Sequence, residues 1–146
     1  MAEVRKSVLI EYSVGQMFHL VDAVEDYPQF LPWCGGTELI HRDEAKTVAT
    51  LHINYHGIKA DFSTENDKEA PFFMKINLRH GPFEHLDGCW HFKPLGETAC
   101  KVEFQLHYEF ASKLLEKALG PVFHHIANTF VDSFVRRASQ VYAQNG

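Results

Sequence analysis

Two hydrophobic periods divide the chain. Between Thr37 and Phe110 apolar residues recur at every second position, and after Lys113 at every third or fourth. In the first region Ala49, Leu51, Ile53 and Tyr55 share one parity, and Thr50, His52 and Asn54 the other. Ile58, Ala60 and Phe62 alternate with Lys59, Asp61 and Ser63. Phe72, Met74, Ile76 and Leu78 alternate with Phe73, Lys75, Asn77 and Arg79. Leu86, Gly88, Trp90 and Phe92 share a parity, as do Val102, Phe104, Leu106, Tyr108 and Phe110. Successive side chains of a strand point to opposite faces, so each run has an apolar side and a wet side. His56-Gly57 reads as a tight hairpin turn in which Gly supplies positive φ. Asp67 to Pro71, His80 to Pro82 and Pro94 to Thr98 separate the other runs. The pattern predicts an antiparallel meander that must cover one face.

The flanks supply the other elements. VRKSVLIEY, rich in β-branched and aromatic residues, predicts a first strand. Ser13 with Gln16 three positions on is a capping box, and Met17, Leu20, Val21 and Val24 follow at helical spacing. After Ser112, a suitable N-cap, Leu115, Leu119, Val122, Phe123, Ile126, Phe130, Phe134 and Val141 form an apolar stripe. Roughly 30 residues at 1.5 Å each give a helix of ~45 Å. Gly120-Pro121 predicts a kink, because Pro121 has no N–H for the carbonyl of residue 117. The order is one strand, one or two short helices, six to seven strands counting the first, and a long helix. That order predicts an α+β fold in one domain, 1–146. The long helix is the element large enough to cover the apolar face. A curved antiparallel sheet wrapped around it is a helix-grip arrangement. Such a sheet bends more than one helix can fill, so an apolar cavity is expected between them.

One segment resists both periods. DYPQFLPWCGG, residues 26–36, places Tyr27, Phe30, Leu31 and Trp33 between Pro28 and Pro32 and ends on Gly35-Gly36. Prolines so spaced suit neither a long helix nor a central strand. Aromatic residues on such a segment either cap a core or line a mouth. Phe30, Leu31 and Trp33 are expected at the mouth.

Composition narrows the functional classes. The 146 residues are 45% hydrophobic with twelve Phe, enough for a core with room to spare, and the formal net charge is −5. An acidic balance argues against a broad nucleic-acid surface. No run of 18 apolar residues exists, and the N-terminus lacks the apolar stretch of a signal peptide. Cys34, Cys89 and Cys100 form no C-x-x-C, so reduced thiols and a cytoplasmic location are expected.

YSVGQMFHLVDAVEDYPQFLPWCGG, GPFEHLDGCWHFKPL, CKVEFQLHYEF and VYAQNG closely resemble one family. It is the ribosome association toxin (RatA-like) family, shared with mitochondrial coenzyme Q-binding proteins. Both branches fall in the START-domain, polyketide cyclase/dehydrase and lipid-transport superfamily, whose fold is START/Bet v 1-like. The resemblance runs from about Val4 to Tyr142, and its motifs do not separate the two branches. It implies a tunnel for a hydrophobic molecule. In the quinone branch the ligand is ubiquinone, bound by a carrier or chaperone that supports respiration without catalysis and needs no other cofactor. In the toxin branch the large ribosomal subunit is the partner. The resemblance also turns strand residues otherwise read as core into candidate tunnel lining: Leu51, Ile53, Phe62, Met74, Ile76, Trp90, Phe92 and Phe104. Phe123, Ile126 and Phe130 would line it from the helix, and Tyr27, Phe30, Leu31 and Trp33 at the mouth, where transient contact with a membrane surface is expected.

Catalytic signatures are sparse. His52 and His56, four apart on a strand, lie about 13 Å apart, too far for one metal. His124 and His125 point about 100° apart on a helix. G-x-S-x-G, H-E-x-x-H and Gly-rich phosphate loops do not occur. Asp61 and Glu65 share a parity on the wet face, and Cys34 reads as a small buried thiol. A binding protein is expected rather than an enzyme, with a cyclase-type enzyme as the third reading.

Overall fold

The computed structural model describes residues 1–143; the end of the VYAQNG motif, residues 144–146, lies outside the described residues. The elements in chain order are β1 (Ala2–Ile10), α1 (Val14–Asp22), a 3-10 helix (Val24–Gln29), β2 (Cys34–Arg42) and β3 (Lys46–Tyr55). There follow β4 (Ile58–Glu69), β5 (Phe73–His80), β6 (Phe83–Pro94), β7 (Cys100–Phe110) and α2 (Lys113–Tyr142). The strands form one curved antiparallel sheet in the order β1-β7-β6-β5-β4-β3-β2. β1 and β2 are therefore its two edges, and α1 with the 3-10 helix carries the chain from one edge to the other. This is the helix-grip arrangement that the two periods predict.

Local chemistry explains the element ends. The Ser13 hydroxyl accepts from the Gln16 N–H at 3.1 Å, while the Gln16 side chain accepts from the Ser13 N–H at 2.9 Å, closing the capping box on α1. Ser112 caps α2 by accepting from the Leu115 N–H at 3.1 Å. The β3–β4 turn has φ of 51° at His56 and 81° at Gly57, the signature of a type I′ hairpin, so His56 shares the left-handed conformation with the glycine. Gly88 lies where β6 meets β7. A Cβ there would stand 2.4 Å from the Gln105 carbonyl oxygen, so only glycine permits this approach.

The structure corrects two expectations. Pairing of β4 with β5 continues through Asn66↔Ile76 and on to Glu69↔Phe73, so the expected turn from Asp67 begins later. Phe72 falls in that turn, its N–H bonded to the Glu69 carbonyl, and is 51% exposed rather than on the apolar face. α2 runs as one helix through Pro121. Most helical stability comes from tertiary packing rather than from each single backbone bond. α2 buries Phe123, Ile126, Val131 and Phe134, side chains worth ~1.5–3 kcal/mol each. That outweighs one missing N–H. The C-terminal end of α2 is tied to α1 by the Tyr142 hydroxyl, which donates to the Gln16 carbonyl at 2.9 Å.

Candidate functional site

The sheet and α2 do not meet everywhere. Between them lies a cavity of about 70 Å³, part of it continuous with solvent. Its sheet wall carries Ala49 and Leu51 of β3, Phe62, Thr64 and Asn66 of β4, Met74 and Ile76 of β5, Leu86 and Trp90 of β6, and Phe104 and Leu106 of β7. α2 contributes Phe123, Ile126, Ala127 and Phe130. The third wall comes from the connection between the sheet edges: Val21, Val24, Tyr27 and Trp33.

Most of the residues singled out from sequence meet here. Tyr27, Trp33, Leu51, Phe62, Met74, Ile76, Trp90, Phe104, Phe123, Ile126 and Phe130 all line the cavity. Four lie elsewhere. Ile53 borders a smaller neighbouring cavity, beside Phe62 and Phe123. Phe92 is buried against Trp90 and Phe18. Leu31 is buried in the core. Phe30 packs between Tyr27 and Phe134 with the Arg137 guanidinium 5.2 Å from its ring centre, so it caps α2 from outside.

The proline-broken segment is a set of tight turns. The Leu31 N–H donates to the Tyr27 carbonyl at 2.9 Å and the Cys34 N–H to the Leu31 carbonyl at 3.0 Å. These turns send Tyr27 and Trp33 inward and Phe30 outward. The Tyr27 hydroxyl donates to the Val21 carbonyl at 2.5 Å, and burial drives its pKa far above the ordinary range. The Trp33 ring faces Phe130 at 6.1 Å between centroids.

A charged clamp holds this wall on the sheet. Arg42 of β2 makes a bidentate pair with Glu25 at 2.7 and 2.8 Å and also donates to the Asp22 carbonyl at 2.7 Å. The Asp22 carboxylate accepts from the Thr47 hydroxyl at 2.7 Å and from the Lys68 ammonium at 3.1 Å. The Lys68 side chain is only 5% exposed, so the Asp22 contact compensates a nearly buried charge. The hydrogen bonds from Arg42 hold the Glu25 carboxyl down at about 2.

Inside the cavity polarity is scarce. Among the described residues its lining has no carboxylate, imidazole, amine, guanidinium or thiol. The polar groups are Tyr27, Trp33, Thr64 and Asn66. The indole N–H of Trp33 and the side-chain oxygen of Asn66 are both buried without a hydrogen-bond partner. Neither Thr64 nor Asn66 was evident from sequence. The parity of Ile58, Ala60 and Phe62 continues through both, but their polarity and the turn expected at Asp67 hide the continuation.

The remaining titratable groups lie apart from it. Burial pushes the Cys34 thiol up, and its Sγ contacts the Gly36 carbonyl at 3.4 Å. His52 pairs with Asp61 at 2.5 Å on the outer face. Tyr108 bonds to His124 outside the cavity, and burial pushes its hydroxyl up to about 12. Among the described residues no three of His, Cys, Asp and Glu are arranged to hold a metal, and no helix is long and apolar enough to cross a membrane.

Comparison with known proteins fits this geometry. The family described as polyketide cyclase / dehydrase and lipid transport matches residues 10–135. The chain belongs to that family. A Vibrio cholerae protein named ribosome association toxin RatA is 42% identical over 144 residues, covering 99% of this chain and 100% of that protein. The Xenopus laevis coenzyme Q-binding protein COQ10 homolog B, mitochondrial, is 24% identical, with 97% of this chain matched to 60% of that protein. Among solved structures, the Zhui aromatase/cyclase from Streptomyces superposes with a TM-score of 0.80 at 14% identity, covering 99% of this chain and 98% of that one. An 18 kDa protein from Caulobacter crescentus gives 0.72 at 30% identity, covering 98% and 99%.

Proposed function

We propose that this family member binds a hydrophobic ligand of the polyisoprenoid quinone class, ubiquinone first, and acts as its carrier or chaperone. The observation that carries the reading is the cavity between sheet and α2, walled by hydrocarbon and aromatic rings. An apolar tail gains ~0.8 kcal/mol for each CH₂ it buries there. The lipid-transport description of the family and the name of the Xenopus relative support the ligand class. The lining also supports binding over catalysis. Tyr27 is its one acid–base side chain among the described residues, and the Tyr27 hydroxyl is committed to a backbone carbonyl. The cyclase names of some structural neighbours bear on the fold alone, at identities such as 14%.

The chain's two tryptophans, Trp33 and Trp90, both line the cavity. Tryptophan emission therefore reports on this space. Titration with decylubiquinone should quench it saturably and raise the melting temperature. No saturable quenching and no thermal shift would overturn the reading.

A second reading is association with the large ribosomal subunit. It is favoured by the 42% identity to the Vibrio protein along essentially the whole of both chains. Cosedimentation with 50S subunits across a salt series tests it, since a contact with ribosomal RNA weakens steeply with salt. Absence of cosedimentation at low salt would remove it.

A further inference from the structure

Resting on the cavity as a ligand site, we propose that the ligand's apolar tail leaves it between Phe62 and Phe123 and lies in a second compartment under the first two turns of α2, which swing on Gly120-Pro121 to make room. Size poses the question. The main cavity holds about 70 Å³. Pockets that take small molecules run to roughly 300–1,000 Å³. A quinone with a tail needs more space than this arrangement gives, so part of the wall must move.

The direction of growth follows from the neighbouring cavity. It holds only about 10 Å³, and its walls include Ile53, Ile58, Phe83 and Phe110. Phe62 of β4 and Phe123 of α2 line both spaces, their rings edge to face at 6.0 Å between centroids. These two rings form the partition. Leu119 and Val122, both half-buried, cover the second space from α2. Among the described residues its lining has no polar side chain, which suits a hydrocarbon tail and nothing else.

The rest of the enclosure is braced, and this end of α2 is not. The connection between the sheet edges is clamped by Arg42, Thr47 and Lys68. Beyond Pro121, α2 buries Phe123, Ile126, Phe134 and Ala138, and Tyr142 ties its far end to α1. From Lys113 to Leu119 no residue is buried, and Leu114 is 78% exposed. On another flank Glu116, Gly120 and Pro121 border an open cleft beside Ala2 and Tyr108, so these turns are not wedged from that side. The junction itself has a weak backbone. Pro121 offers no N–H to the Lys117 carbonyl, and helices bend most sharply at proline. Gly120 is a poor helix former that neither space nor conformation requires. A Cβ there would meet nothing nearer than 3.9 Å, and its φ is not positive. Two helix-weakening residues thus sit together where the packed part of α2 ends.

The test is isothermal titration with decylubiquinone and with the dimethoxy-methylbenzoquinone that has the same head and no tail. Wild type should bind the tailed quinone about a hundredfold or more tighter, because each buried CH₂ adds to affinity. Leu119→Trp, which fills the second compartment, should cut that advantage about tenfold or more, the worth of roughly two buried CH₂ groups. Gly120→Ala should melt higher than wild type and bind decylubiquinone about fivefold weaker, since the gain in helix propensity must be overcome to swing the turns. An undiminished tail advantage in Leu119→Trp overturns the inference. So does a Gly120→Ala protein that melts higher yet binds decylubiquinone as wild type does, and this variant decides alone if Leu119→Trp does not fold. Wild type that binds both quinones equally also overturns it, with the cavity still a ligand site. If wild type binds neither, the ligand-carrier reading falls, and this inference falls with it.

Discussion

Phe130 and Phe134 stand one turn apart on α2 and face different surroundings. The Phe134 ring is packed by Tyr27, Phe30, Trp90 and Phe130 and is buried. Phe130 touches Tyr27, Trp33, Trp90 and Phe104, but it also borders empty space. Phe134→Ala should therefore cost about 3–5 kcal/mol in urea unfolding, the range for a fully packed aromatic. Phe130→Ala should cost clearly less and lose ligand binding instead. Equal costs would mean that Phe130 is ordinary core. At this scale the sequence was informative wherever a regular element fixed direction. Parity pointed Leu51, Met74, Trp90 and Phe104 inward, and helical spacing did the same for Phe123, Ile126 and Phe130. It failed at Phe30 and Leu31, because turn geometry and not periodicity aims a side chain in a proline-broken segment. It also failed at Phe92 and Ile53. These have the right parity, but a face is filled by core at some rows and open at others, and one-dimensional pattern does not distinguish them.

The elements that close the cavity are held by charge as well as by packing. Glu25 in the 3-10 helix titrates at about 2 because Arg42 of the edge strand β2 grips both carboxylate oxygens. A carboxyl whose folded pKa is depressed adds stability that is complete above its unfolded value and is lost as the pH falls through the folded value. Here that window runs from the ordinary value of 4.5 down to about 2. The Glu25 side chain is 46% exposed, so screening keeps the contribution to about 1 kcal/mol or less. Glu25→Gln should be less stable than wild type in urea at pH 6, and the gap should narrow as the pH approaches 2. A gap unchanged across that range would mean that the pair does not hold this helix. None of the clamp was legible beforehand. Asp22 and Glu25 lie far in sequence from Arg42, Thr47 and Lys68, and only the packing of the connecting helices onto the neighbouring strands β2, β3 and β4 brings them together. The elements themselves were legible, because capping boxes, turn residues and periods of 2 and 3.6 are local. The late end of β4 was missed because Asn66, Asp67 and Lys68 look like a turn until pairing with β5 orders them.

At the scale of the molecule, one design follows from the strand order. β1 and β2 are the sheet's edges, and the connection between them must cross the concave side. That crossing turns an open trough under α2 into a space walled by sheet, helix and connection. It also explains a segment that is both irregular and rich in aromatic residues: Tyr27 and Trp33 close the space, Leu31 anchors the turn in the core, and Phe30 seals the outside against α2. The hydrophobic content foreshadowed the cavity, but not its two unpaired polar atoms, which depend on three-dimensional neighbours. The central claim is that this space holds a hydrophobic ligand. Native mass spectrometry of protein purified without detergent from a membrane-containing lysate tests it most directly, once before and once after organic extraction. The account predicts an added mass that extraction removes, with a quinone or quinol in the extract, and a new adduct of the analogue's own mass when decylubiquinone is supplied. A bare mass in both samples, unchanged on adding decylubiquinone, would contradict it.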